Sequence, residues 1–340
     1  MLQLKNETPF KATMAVFPDA QGIDTLYAVV KATFTIGATL SVAETQVEPV
    51  LADQFWGEPA VSSVKYPAEM HLTKPSTDVV LIGQAWAPNG RKTAELDVSV
   101  SVAERSKTVR VIGNRVWHNG GISMAEPFER MPMLYEYCYG GTHVLDEETR
   151  QFLAEERNPV GRGFLGKHAV ADFNYQALPN VEDPKQLIRQ LGDTPKPACF
   201  AFVAPYWLPR RSYAGTYDET WATRRSPYLP KNFNPRYLNS ADPDFIFDRY
   251  LQGGEPVKII NANRNGPLEF QIPQVALAIR ARMAGAIHDL PPLLETVVIE
   301  PESQRVTLLW RAALACDKKA LEIEELSICM RQMLIQGRAA

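Results

Sequence analysis

The chain has 340 residues, enough for two ordinary domains or one large β unit, and its 45% apolar and 22% charged residues exclude collagen, coiled coil and wholesale disorder. Its formal net charge of −3 leaves no basic excess to neutralise phosphates, so a general nucleic-acid binder is excluded as well. Proline outnumbers glycine, 26 to 20, which favours strands and long ordered loops over a helical bundle.

The first ten residues, MLQLKNETPF, hold no apolar core and no small-residue cleavage site, so no secretory signal is expected. No apolar run reaches the length of about 18 residues that a membrane-spanning helix needs. From Leu26 to Val42, apolar residues alternate with polar or small ones around β-branched Thr and Val and turn near Gly37, which predicts a strand pair. Val79 to Ala87 predicts one short buried strand stopped by Pro88-Asn89-Gly90. Leu96, Val98, Val100 and Val102 share one face of a strand, and Lys107 to Trp117 predicts the next. Helices are expected over Asp146–Arg157, after Asp183-Pro184, and after Asp242-Pro243-Asp244, the last two on capping grammar. Strands return with Val275–Met283, with Thr296–Glu300 and Arg305–Ala312 around a hairpin loop, and with Ile323–Gln332. The expected architecture is mainly β: two packed antiparallel units, sandwich- or barrel-like, with long loops and a few short helices. The expected divisions are 1–145, a loop-rich middle at 146–265, and closing strands at 266–340.

Residues 205–237 stand apart, with five prolines, eight aromatics and five arginines and no periodicity beyond one helical turn at Asp218–Thr223. A loop this long inside a compact fold is often functional. Tyr, Trp and Arg are the residues enriched at binding hot spots, so Arg210, Arg211, Tyr213, Tyr217, Trp221, Arg224, Arg225 and Tyr228 are the candidate protein-binding residues. The blander alternative is an ordered loop whose aromatics cover the core and whose arginines pair with nearby acids.

Other motifs are weaker. Gly161 to His168, GRGFLGKH, fits GxGxxG and would place Lys167 near phosphates, but His168 stands where Ser or Thr should hold magnesium. Asp218 with Glu219 is the best pair for a carboxylate hydrolase, although nothing in the spacing selects it. His71, His118, His143, His168 and His288 show no metal spacing, and Cys138, Cys199, Cys316 and Cys329 form no CxxC pair, so no metal is expected and buried free thiols are. No catalytic residue and no cofactor is expected.

The order of several strings points further. Asn6-Glu7-Thr8-Pro9-Phe10, Lys31-Ala32-Thr33-Phe34, Lys74-Pro75-Ser76-Thr77-Asp78 and Gly113-Asn114-Arg115-Val116-Trp117 come first. Pro127-Phe128, Met131-Pro132, Tyr139-Gly140-Gly141 and Asn158-Pro159-Val160-Gly161-Arg162-Gly163 follow. Leu178-Pro179-Asn180, Gly215-Thr216-Tyr217-Asp218, Trp221, Arg225, Leu229-Pro230 and Gly253-Gly254-Glu255 complete the series. Together they resemble the bacterial domain-of-unknown-function family numbered two-one-six-nine, whose genes sit in type VI secretion clusters beside spike and toxin genes. Cys138 before Tyr139, and Lys231-Asn232 after Leu229-Pro230, depart from the usual pattern. The resemblance implies a cytoplasmic adaptor or chaperone that binds a toxic effector and helps load it onto the spike-tip protein, without catalysis and with neither nucleic acid nor membrane as partner. The family supplies no catalytic residues to carry over. An enzyme, acting around Asp218 or Lys167, is the alternative.

Overall fold

The computed structural model describes residues 2–146, 148, 151–166 and 173–335. The fold is mainly β, as the proline count and alternating patterns predict, and among the described residues no sheet closes into a barrel. Three sheets carry it. The largest runs, edge to edge, through Lys11–Pro18, Asp24–Ile36, Arg305–Ala315, Leu293–Glu300 and Asp78–Leu81, with Leu40–Val42 also paired to Asp24–Ile36. Its central strands are buried on both faces, so that in Asp24–Ile36 even Thr25, Lys31 and Thr33 are covered. Asp78–Leu81 joins parallel to Leu293–Glu300, with Val79 opposite Val297.

A five-stranded antiparallel sheet holds Val181–Glu182, Arg105–Ile112, Glu95–Val102, Pro256–Ile260 and Leu268–Gln271. Here the period of two is visible: Val98, Val100 and Val102 are buried while Ser99 and Ser101 face outward and bond across the strand pair to Thr108 and Ser106. The third sheet is Gln3–Asn6, Ile323–Leu334, Gln274–Met283 and Ala286–Leu290. One apolar core joins all three, through Phe34 and Ile299, Val98 and Ile259, and Ile279 and Leu326.

Four local expectations are corrected. The run Val79–Ala87 is split at Ile82-Gly83, where Ile82 still bonds Ile299 O but Gln84–Trp86 leaves to pair with Arg130–Pro132. The strand after Lys107 ends at Ile112, and Trp117–His118 pairs separately with Gly121–Ile122. Of the helix expected at Asp146–Arg157, residues 147, 149 and 150 lie outside the described residues, and Gln151–Ala154 is instead a strand, paired with Thr142–Asp146 and placing Phe152 opposite Val144. That stretch has no apolar stripe for a helix to bury, and pairing satisfies its backbone instead. No helix follows Asp183-Pro184, because carboxylates take the amides a helix would use. Asp183 accepts from Lys185 N (2.8 Å), Glu182 from Ile188 N (2.7 Å), and Asp193 from Arg189 N (2.9 Å). Asp242 does cap a helical turn, Pro243–Phe245, which stops where Phe247 N turns to Thr77 O (2.9 Å).

Candidate functional site

The proline-rich arm, residues 205–237, lies on the sheets and is tied down at both ends. Near its start the buried Arg210 donates to Val203 O (2.5 Å) and Tyr237 O (3.1 Å), its guanidinium 5.5 Å from the Tyr237 ring. Burial pushes the Arg210 guanidinium below its usual pKa, against the opposing pull of Asp78. Further on, Asp218 caps the helix α1 (Glu219–Arg224) by accepting from Trp221 N at 2.7 Å. The chain then folds back so that Trp221 Nε1 donates to Tyr228 O (2.8 Å). Arg225 grips two carbonyls, Leu229 O and Ala20 O, each at 2.9 Å. The second lies in the turn joining Lys11–Pro18 to Asp24–Ile36, where the Tyr228 ring also covers Gly22.

The eight residues singled out from the sequence therefore divide. Arg210 and Arg225 hold the arm in place through carbonyls, and Arg211 pairs with Glu156 (3.0 Å) on the surface. Tyr217 and Trp221 pack edge to face, 4.7 Å apart, with Tyr217 more than half exposed. Arg224 is exposed, with no ion pair among the described residues, and Tyr228 is partly exposed. Tyr213 faces a groove that also takes in Arg210. The structure does not bring all eight onto one surface.

That groove, about 460 Å³, opens between the arm and the segment 239–248. Its walls are Pro75, Val203, Ile246 and Phe247, and Arg105, Arg210 and Arg236 converge on it. None of the three arginines has an ion pair among the described residues. Arg105 lies 5.1 Å over the Phe247 ring and donates to Asp244 O (3.2 Å). Asp248 is the acid of the rim. Asn239, at 1% exposure, lines the groove, and its Oδ1 has no hydrogen-bond donor.

A buried polar network fixes the groove floor. Asp78 is fully buried and accepts from Lys74 Nζ (2.6 Å), Asn239 Nδ2 (2.8 Å) and Ser240 N (2.7 Å). These bonds set the orientation of the Asn239 amide and leave its Oδ1 on the unpaired side. Behind it, Lys74 N donates to Glu295 (2.6 Å), and Glu295 pairs with Arg311 at 2.7 Å with both side chains fully buried. Burial pushes the Glu295 carboxyl up, opposed by Arg311 and Lys74. Arg311 also approaches His71 Nε2 (3.4 Å), and burial, with help from Arg311 and Lys74, pushes His71 well below the ordinary imidazole value.

Other cavities are less suited to recognition. A cavity of about 290 Å³ beside Lys31 and Arg305 has its charges already matched, Lys31 to Glu69 (2.7 Å) and Arg305 to Glu300 (2.5 Å). A larger apolar one, about 660 Å³, borders Trp117, Tyr139 and Phe164 and offers few polar groups for orientation.

The glycine loop serves packing. Gly163 has φ +91°, and a Cβ there would meet Pro179 Cδ at 2.7 Å; one on Gly161 would meet Cys138 O at 2.6 Å. Lys167 and His168 lie outside the described residues. No group of three or more His, Cys, Asp or Glu side chains suited to a metal occurs among the described residues. Cys138, Cys199 and Cys316 are buried free thiols, but Cys329 is only half-buried. No described helix is long and apolar enough to cross a membrane.

The sequence reasoning missed Arg105, Arg236 and Asn239. Arg236 lay within the arm, but Arg105 sits at a hairpin turn with no local signal, and Asn239 matters only through its fold-dependent partners.

Fold and groove define the class: a mainly-β protein on which a proline-rich arm closes an arginine-lined groove against the sheets. The chain belongs to the bacterial family described as "Uncharacterized protein conserved in bacteria (DUF2169)", which matches residues 21–311. No curated protein and no solved structure matches the chain.

Proposed function

We propose that the protein is a non-catalytic adaptor or chaperone of type VI secretion, holding a toxic effector in the cytoplasm and passing it to the spike-tip protein. The observation that carries the binding reading is the groove, in which Arg105 and Arg236, neither with an ion pair among the described residues, converge on apolar walls beside the carbonyl-bound Arg210. Arginines so placed suit fork-shaped recognition of carboxylates, and aromatic residues beside them, such as Tyr213 and Phe247, supply contact area. The arm is tied by side-chain bonds to carbonyls at Val203, Ala20 and Leu229. Such pre-ordering lowers the entropy that binding must overcome. The secretion context rests on the family resemblance of the ordered strings.

Co-expression with the neighbouring toxin gene, followed by size exclusion, tests this reading. Co-elution at micromolar concentration is expected; separate elution contradicts it.

A further inference from the structure

Two features of the groove demand different things of a ligand. Arg105 and Arg236 call for an anion, since neither has an ion pair among the described residues. The wall of Val203, Ile246 and Phe247 calls for an aliphatic group. A phosphodiester or sulfate group offers negative charge but no aliphatic side chain. A polypeptide offers both, a carboxylate side chain and an apolar neighbour.

We propose that this groove binds an extended acidic segment of the partner protein, with an Asp or Glu carboxylate against Arg236 and Arg105 and an apolar neighbour against Val203, Ile246 and Phe247. The inference rests on the binding reading above and adds the chemistry of what is bound. Val203, Ile246 and Phe247 provide an apolar wall, so an aliphatic residue beside the acid completes the match. Asp248 at the rim repels a second adjacent anion, which selects an isolated acid over a polyanionic tract. The volume of about 460 Å³ falls within the range of roughly 300–1,000 Å³ usual for binding pockets.

Fluorescence anisotropy provides the test. The probe is a labelled, amidated peptide Ser-Leu-Glu-Leu-Ser-Ser, and its control carries Gln in place of Glu. The full chain is expected to bind the acidic peptide at least about tenfold more tightly than the control. Arg236→Gln, at an exposed position, is expected to abolish most of that difference while the melting temperature holds, and Arg105→Gln to abolish most of it in a chain that stays folded. Equal binding of the two peptides, no binding of either at millimolar concentration, or an acid preference that survives both substitutions overturns the proposal. If the acidic peptide binds while no effector co-elutes, the adaptor reading falls and the groove chemistry stands. If the effector co-elutes and the peptide results are negative, the groove chemistry falls and the adaptor reading stands.

Discussion

Replacing Asp78 by Asn probes the pin under the groove. Both Asp78 carboxylate oxygens accept hydrogen bonds, Oδ2 from Lys74 Nζ (2.6 Å) and Ser240 N (2.7 Å), Oδ1 from Asn239 Nδ2 (2.8 Å). An amide of the same shape must therefore turn its NH₂ against a donor whichever way it sits. Either way the Lys74 ammonium, buried at 3% exposure, loses its carboxylate, and the other acceptors beside it are the neutral Thr296 Oγ1 (2.9 Å) and Ser240 Oγ (3.4 Å). Breaking a buried pair by neutralising one member costs about 3–5 kcal/mol. Set against a typical total of about 5–15 kcal/mol, that is a large fraction. Adding Lys74→Met removes the stranded charge, and the double variant is expected to recover about 1–3 kcal/mol relative to the sum of the single changes. Urea unfolding followed by tryptophan fluorescence measures all four proteins, provided the slope with denaturant is unchanged. A cost below about 1 kcal/mol for Asp78→Asn, or strictly additive single effects, would refute the reasoning.

Three further outcomes follow from the contacts. Arg225→Ala removes the bond that holds the arm to Ala20 O and the one that folds the arm onto its own Leu229 O, so chymotrypsin should cut within residues 205–237 several-fold faster, with the core left intact; an unchanged cleavage rate counts against that anchoring. His71 is held neutral in the folded chain, whereas the unfolded chain takes up a proton near its ordinary value of 6.5. The folded pKa is depressed, so stability is full above about pH 6.5 and falls below it, at up to about 1.4 kcal/mol per pH unit. Relative to His71→Gln, wild type should therefore lose ground between pH 7.5 and 5.5; a pH-independent difference contradicts the assignment. Gly163→Ala places a Cβ 2.7 Å from Pro179 Cδ at φ +91°, and should destabilise by roughly 1–3 kcal/mol in thermal melts, where a neutral result would mean the loop yields freely.

Much of the sheet architecture is legible in local pattern. Strict alternation marks the hairpin around Ala103, and the apolar runs on either side of Pro301 mark another, because register and turn chemistry are encoded within neighbouring residues. Where side-chain carboxylates capture backbone amides, as at Asp183 and Asp193, capping grammar misleads. Ala198–Ala204 is buried throughout without being a strand, since its backbone bonds go to scattered partners such as Leu81 and Ser240. The arm's composition identified a real element, but most of its arginines are spent on carbonyls or on Glu156. The groove gathers Pro75, Arg105, Arg210, Arg236 and Asn239 from distant parts of the sequence, so no window of residues contains it.

The central claim is that the arginine-lined groove is where the partner is held. Light scattering on the size-exclusion peak of the co-expressed chain and effector tests it most directly. The account predicts a single species with the summed mass, which the double substitution Arg105→Glu with Arg236→Glu separates into two peaks while both proteins remain folded by circular dichroism. A complex that persists through that double charge reversal, or no complex with the unaltered chain, contradicts it.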